Sequence, residues 1–366
     1  MNLTNKNILV ISPEGWGKNF VSKHHYAVTL AKRENQVFFV GPPEGNFSCR
    51  ESGFERVNVL GYPSFPPGFR FYPKPVRRML QRRWLAKLEQ VAGVPFDILW
   101  SFDNSVFFDL DSWKEHKYTI SHIVDLNQDF ETARAARSAN ICFCTTELIK
   151  DRLIRYNLNT HKIPHGYTPA TVAPQPKTLP GAENPKVIYV GNLSMAYIDW
   201  SLIHSLVCQN PTVGFVFLGP EGKSNLGKAD AIIPDKESVK KSPNSYFVGE
   251  CAAQEVMGYL LAADACLVAY QEAHHQDQAS PHKIAEYLAS GKAVIATYTA
   301  EYKDSDVLLM TRHNEDFPDY FQGVIQEIDE HNSPEASQKR RSYIMDRTYS
   351  NLIKQIEKHI RDPQHT

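Results

Sequence analysis

No stretch of the chain approaches the roughly 18–20 apolar residues of a spanning helix. There is no C-x-x-C pair, no H-E-x-x-H unit and no GxGxxG fingerprint, and His24/His25 and His274/His275 have no metal-ligand spacing. These absences argue against common zinc, dithiol and dinucleotide frameworks, and no metal is expected. Internal repeats and low-complexity tracts are also missing, which excludes solenoids and disordered linkers of biased composition. The six cysteines, Cys49, Cys142, Cys144, Cys208, Cys251 and Cys266, are read as buried reduced thiols. Residues 1–6 lead into a short apolar strand rather than a signal h-region, so a cytoplasmic chain is expected. Net charge is nearly absent: 40 Lys and Arg stand against 41 Asp and Glu, giving −1. Taken whole, that excludes a polybasic nucleic-acid binder. The distribution is uneven. Residues 1–170 hold 22 Lys and Arg with 16 Asp and Glu, whereas residues 171–366 hold 18 and 25. Such asymmetry is itself a pointer to partners.

What is present is an α/β pattern. A length of 366 residues predicts two domains, since single cores stop growing well short of that. Apolar runs at 7–12, 36–40, 97–101, 119–124 and 140–144 read as buried strands, with helices at 21–33 and 147–156. Six prolines fall between Pro164 and Pro185, which marks a linker. Alternation then restarts, with strands at 186–190, 214–218, 245–248, 265–269 and 293–296. Helices are expected at 198–208, 252–262, 282–290, 315–329 and 335–360. The predicted architecture is two doubly wound Rossmann-like lobes with a cleft between them, into which both sheets aim the loops at their carboxyl ends. The expected division is a lobe over 1–168, a linker over 169–185, a second lobe over 186–334, and a terminal helix over 335–366 that crosses back to the first lobe.

The segment from Gln278 to Glu286 is the most informative. Ser280 stands where an N-cap belongs, and Pro281 suits the first helical position. A helix starting there offers free N–H groups and a partial positive charge, which suits a diphosphate. Lys283 adds a full positive charge against the helix dipole, where a purely structural helix would gain from an acid. Glu286 lies on the same helical face and has the geometry to take two ribose hydroxyls. A surface Lys–Glu pair on an ordinary helix remains the plain alternative.

Pro281, Lys283, Glu286, Tyr287, Ala289, Gly291 and Lys292, followed by the strand Val294–Ala296, resemble the donor-binding signature of GT-B glycosyltransferases. The family 4 retaining enzymes, and among them the teichuronic-acid and cell-surface polysaccharide type, are the branch most similar. Val190–Leu193, Phe217–Pro220, Phe247–Glu250, Ala262–Val268 and Ile163–Gly166 resemble further motifs of that family, in order. The resemblance implies a GT-B fold and a transferase that needs no metal and uses a UDP- or GDP-sugar as donor substrate. It places Gly191, Asn192, Gly219, Gly249, Glu250, Gln278, Ser280, Pro281, His282, Lys283 and Glu286 at the donor. Two departures stand out. The family's first motif glutamate is Gln278 here, and Gly191–Met195 lacks the usual basic residue. Lys283, with His282, must then carry more of the phosphate charge.

In the first lobe, Ser12–Gly17 follows the first strand, and the resemblance places Glu14, Gly15, Trp16 and Gly17 near phosphates and acceptor, with His24 as a companion. A plain strand-to-helix turn is the alternative. Asp125, at the end of the strand containing His122, is the candidate catalytic carboxylate: a strand-end acid can orient an acceptor hydroxyl or balance oxocarbenium charge. Asp129 is its alternative, and His122 is read as core or wall. The segment 69–90 carries seven Lys and Arg against Glu89 alone, with Val76, Leu80, Trp84 and Leu88 every fourth residue. A basic amphipathic helix of this kind suits an anionic membrane surface, or it packs its apolar stripe on the sheet.

The expected function is transfer of a hexose from a nucleotide diphosphate sugar to a glycan acceptor, lipid-linked in one version, at the inner face of the membrane. A sugar-nucleotide epimerase of the same fold and a non-catalytic glycan- or nucleotide-binding scaffold are the alternatives.

Overall fold

The computed structural model describes residues 2–17, 20–105, 109–114, 117–125, 131–169, 173–222, 233–275, 281 and 283–361. They form two compact units, Met1–Thr168 with Tyr349–Thr366, and Pro169–Thr348.

Among the described residues, the first unit has eight strands: β1 Asn7–Ile11, β2 Gln36–Val40, β3 Ser48–Glu51, β4 Val57–Gly61, β5 Ile98–Ser101, β6 Tyr118–Ile123, β7 Ile141–Cys144 and β8 Thr160–Lys162. Their order is β3-β4-β2-β1-β5-β6-β7-β8, and every pairing is parallel except β3 with β4. Successive residues of β1 point to opposite faces, and both faces are covered. Ile8 and Val10 enter one apolar cluster, Leu9 and Ile11 the other. That is why the strand reads as an unbroken apolar run.

The helix Tyr349–Arg361 belongs to this first unit. It lays Leu352, Ile353, Ile356 and Ile360 into the cluster that contains Leu3, Ile8 and Tyr26. Its buried Glu357 accepts the Leu3 N–H at 2.6 Å and pairs with Arg33 at 2.7 Å.

Among the described residues, the second unit has six strands: β9 Lys186–Val190, β10 Gly214–Leu218, β11 Ser245–Gly249, β12 Ala265–Val268, β13 Ala293–Ala296 and β14 Leu309–Met310. The order is β11-β10-β9-β12-β13-β14, all parallel.

Several expectations change. The helix expected over 335–360 is two, Pro334–Met345 and Tyr349–Arg361. The first buries Arg340 and Ile344, and Arg340 donates to the Gly291 carbonyl at 2.9 Å. Residues 173–185 are not free of the lobes. The Lys177 N–H donates to the Gly258 carbonyl at 3.0 Å, and Tyr246 donates to Glu183 at 2.9 Å. Cys142, Cys144 and Cys266 are buried free thiols, but Cys49 and Cys208 are exposed. In the helix Lys74–Ala92, where membrane and packing readings both stood, Trp84 and Leu88 are buried in the core while Val76 is exposed. Much of its charge is matched: Arg77 pairs with Asp109 at 3.2 Å, and Lys74 and Arg78 pair with Asp111 at 3.1 and 3.3 Å. Among the described residues, no helix is long and apolar enough to cross a membrane.

Candidate functional site

In the second sheet, β9 and β12 lie side by side while the chain continues outward from each in opposite directions. The loops leaving them therefore part, and open parallel sheets bind ligands in the crevice made at such a point. Tyr189 is the penultimate residue of β9, and Tyr270 lies two residues past β12. Lys283 opens the helix Lys283–Ser290 at the same place.

The Lys283 ammonium is 3.8 Å from the centre of the Tyr189 ring and 5.5 Å from that of Tyr270. It is shielded from solvent and has no hydrogen-bond partner among the described residues. Burial pulls the ammonium down to about 7, with the charge of Glu286 partly opposing. Glu286, one turn further on, stands at an exposed rim, yet burial of its carboxyl raises it above the usual carboxylate range, against the pull of Lys283. A dry, unpaired ammonium is costly unless an anion joins it.

Glycine and tyrosine fix the floor of this crevice. Gly191 follows β9 with φ 142°, and a Cβ there would lie 2.7 Å from Lys283 Nζ. Gly219 follows β10 with φ 148°, and a Cβ there would fall on the Gly191 carbonyl. The Tyr287 hydroxyl accepts the Val190 N–H at 2.7 Å, which ties the Lys283 helix to the end of β9. Beyond these glycines lies a cavity of about 460 Å³, lined by Leu193, Gly219, Pro220, Glu221, Phe247, Gly249 and Glu250. Burial would raise the Glu221 carboxyl, but the hydrogen bond from Lys240 and the charge of Lys236 outweigh it and hold it low. The structure thus gathers Gly191, Gly219, Gly249, Glu250, Lys283 and Glu286 at one end of one sheet. The Asn192 side chain accepts the Ser194 N–H at 2.9 Å and shapes the loop. Pro281 is buried and its carbonyl accepts the Ile284 N–H. Gln278, Ser280 and His282 lie outside the described residues, as does Asp129.

In the first unit the corresponding parting of strands is between β1 and β5. Glu14 pairs there with the buried Lys23 at 3.0 Å, and its N–H is held by Ser12 Oγ. Trp16 donates to the Ser52 carbonyl and packs edge-on against Phe39. A Cβ on Gly15 would meet only the Pro42 ring, and Gly17 has open space around it. His24 is fully buried. Its Nδ1 accepts the Val21 N–H at 3.2 Å, so Nε2 carries the proton and donates to the Gly15 carbonyl at 3.1 Å. Burial lowers its pKa, and neither ring nitrogen remains for a ligand. His24 therefore braces the loop from beneath. His122 is core, pushed down to about 3 by burial with Lys23 adding to the effect. Asp125 is exposed, two residues beyond β6.

Sequence reasoning missed Tyr189, Tyr270 and Lys23. Tyr189 lies inside the strand expected over 186–190, and Tyr270 just past the one expected over 265–269. Only the pairing of β9 with β12 brings them together over Lys283. Among the described residues, no three His, Cys, Asp or Glu side chains cluster to hold a metal ion.

No protein-family profile matches the chain. A Bacillus subtilis protein, TuaH, whose name gives it a provisional role as a teichuronic acid biosynthesis glycosyltransferase, is 23% identical over 145 residues. That match spans 37% of this chain and 34% of TuaH. Similarity to solved structures is broader. The catalytic domain of starch synthase IV from Arabidopsis thaliana, bound to ADP and acarbose, has a TM-score of 0.66 at 13% identity, covering 98% of this chain and 99% of that one. HepE of Anabaena in complex with UDP-glucose scores 0.63 at 13% identity, over 97% and 99%. Sucrose-phosphate synthase from Thermosynechococcus elongatus scores 0.63 at 12%, over 97% and 98%. At these identities the likeness is one of fold. With two units of parallel sheet and helix, matched over nearly their whole length by glycosyltransferases of that architecture, the chain has the GT-B fold.

Proposed function

We propose that the protein is a glycosyltransferase that moves a hexose from a nucleotide diphosphate sugar to a glycan acceptor. One observation carries this reading: a buried Lys283 ammonium, unpartnered among the described residues, in the first turn of a helix where the strands of a parallel sheet part. The diphosphate lies against Lys283 and the helix amides, Glu286 holds the ribose hydroxyls, and the cavity beside Gly249 and Glu250 takes the base. As the glycosidic bond breaks, negative charge grows on the leaving diphosphate. Fixed positive groups that need no reorganisation lower that barrier. On the first unit, the exposed Asp125 and the Glu14–Gly17 loop serve the acceptor, with Asp125 orienting its hydroxyl. A retaining outcome follows the resemblance of the Lys283–Glu286 motif. A role in cell-surface polysaccharide synthesis is supported by that resemblance and by the similarity to TuaH.

The test is release of nucleoside diphosphate from UDP-, GDP- and ADP-sugars with glycan acceptors. Glu286→Ala should lower kcat/KM by about 100-fold, the loss of hydrogen bonds to a charged group. Turnover of the true donor at the parental rate would sink the site assignment. Conversion of the donor sugar without acceptor would identify an epimerase instead.

A lipid-linked acceptor and peripheral association with the inner membrane belong to the same proposal. Phe71 is 77% exposed, Val76 and Met79 are exposed beside it, and Arg83 and Lys87 are exposed along the same helix. Apolar tips ringed by cations suit anionic headgroups. In flotation with phosphatidylglycerol vesicles, Phe71→Ser with Arg83→Glu should cut binding by roughly tenfold. Equal flotation of parent and variant would remove the membrane from the proposal.

A further inference from the structure

Lys283 is held in an unusual way for a buried cation. Glu286 is one helical turn away, yet among the described residues no carboxylate oxygen bonds the ammonium. Its nearest groups are instead ring faces, Tyr189 at 3.8 Å and Tyr270 at 5.5 Å. An aromatic face attracts a cation through its quadrupole, and more strongly where water is excluded. Both phenols are buried, and burial pushes each well above its ordinary value, so neither supplies a phenolate. The rings act through their faces. Tyr270 is braced by Tyr197, whose ring meets it edge-on at 4.8 Å. Gly191 keeps the space over the ammonium clear, since a Cβ there would lie 2.7 Å from Nζ.

We propose that Tyr189 and Tyr270 are positioning residues that hold the Lys283 ammonium against their ring faces, dry and unpaired, until a diphosphate takes it. This rests on the donor reading above and deepens it. An ion pair with Glu286 would have to be broken before the donor could bind, whereas a cation backed by ring faces takes the incoming anion on its open side and keeps the ring contact. It also leaves Glu286 free for hydroxyls. Among the described residues, the titratable groups around the ammonium are Glu286 and Tyr287 on its own helix, Tyr189 on β9, and Tyr270 with Tyr197 behind it.

The experiment uses the full chain, with UDP and inorganic pyrophosphate as probes. In the free protein at pH 6, the Lys283 Cε protons should show a ring-current upfield NMR shift that is retained when either probe is added. Tyr189→Leu should weaken UDP binding by about tenfold, the worth of a desolvated cation–π contact, and move the pH profile of binding. Tyr189→Phe keeps the face and should bind with the parental affinity and pH profile. If Tyr189→Leu fails to fold, the NMR shift and Tyr189→Phe decide the matter. An ordinary Lys283 Cε shift in the free protein, or a Phe variant as weak as the Leu variant, would overturn the proposal. Unchanged UDP binding in Lys283→Ala would instead overturn the donor reading, and the free-protein shift would still report on the ring contact.

Discussion

Lys283→Met should abolish nucleoside diphosphate binding and at the same time stabilise the free protein. The two effects share one cause. In the folded chain, burial holds the ammonium down to about 7, while the unfolded value is 10.5. Between these limits the unfolded chain binds the extra proton, so stability rises with pH. The cost of burying Lys283 is therefore fully present below pH 7 and fades as the pH climbs toward the unfolded value. Methionine fills similar volume without charge. The gain in unfolding free energy should be roughly 3 kcal/mol at pH 7 and shrink steadily at higher pH. Chemical denaturation at several pH values checks the sign. Loss of binding should exceed about 100-fold, because a diphosphate would meet a dry site with no full positive charge. A residue kept at a cost to stability is what a functional site requires.

Gly219→Ala should be the most damaging substitution among the loop glycines of the second unit. Its φ of 148° is one that side-chain-bearing residues rarely adopt, and the added Cβ would fall on the Gly191 carbonyl. Backbone strain and overlap with another main chain together cost about 4 kcal/mol. For a unit of this size that lowers the melting temperature by about 10 °C. The displaced Gly191 turn would also crowd Lys283 Nζ, so binding should fall with stability. Gly249→Ala is the control. Its φ is 82° but the Cβ would meet open space. Only conformational strain remains there, about 1 kcal/mol, and a thermal melt should separate the two variants clearly.

Much of this site could be read from local signals. A proline, a lysine two residues on and a glutamate three beyond that announce a helix start with chemistry on one face, and the structure places Lys283 and Glu286 there. The central strands were equally plain, because burial on both faces writes itself as unbroken apolar runs. What escaped reading depends on distant partners. β3 is exposed at every residue and carries no apolar signal, so only its antiparallel pairing with β4 defines it. The segment 346–348 breaks the terminal helix without proline or glycine. The break follows from what each half packs against, Arg340 on the Gly291 turn and Ile353 on the first unit's core. The charge of residues 69–90 read as one free basic surface, yet its acidic partners, Asp109 and Asp111, lie some thirty residues further on. Tyr189 looked like an ordinary strand aromatic, and Tyr270 lay just past an expected strand, until the neighbouring of β9 and β12 set them over an ammonium.

The central claim is that the carboxyl end of the second sheet binds a nucleotide diphosphate sugar through Lys283. Calorimetric titration of the full chain with UDP-, GDP- and ADP-glucose, at pH 8 and in buffers of different ionisation enthalpy, tests it most directly. The expected result is one saturable site for at least one donor, with net proton uptake as the anion restores the Lys283 charge, and neither signal in Lys283→Met. Binding that takes up no proton, or that survives in Lys283→Met, would contradict it.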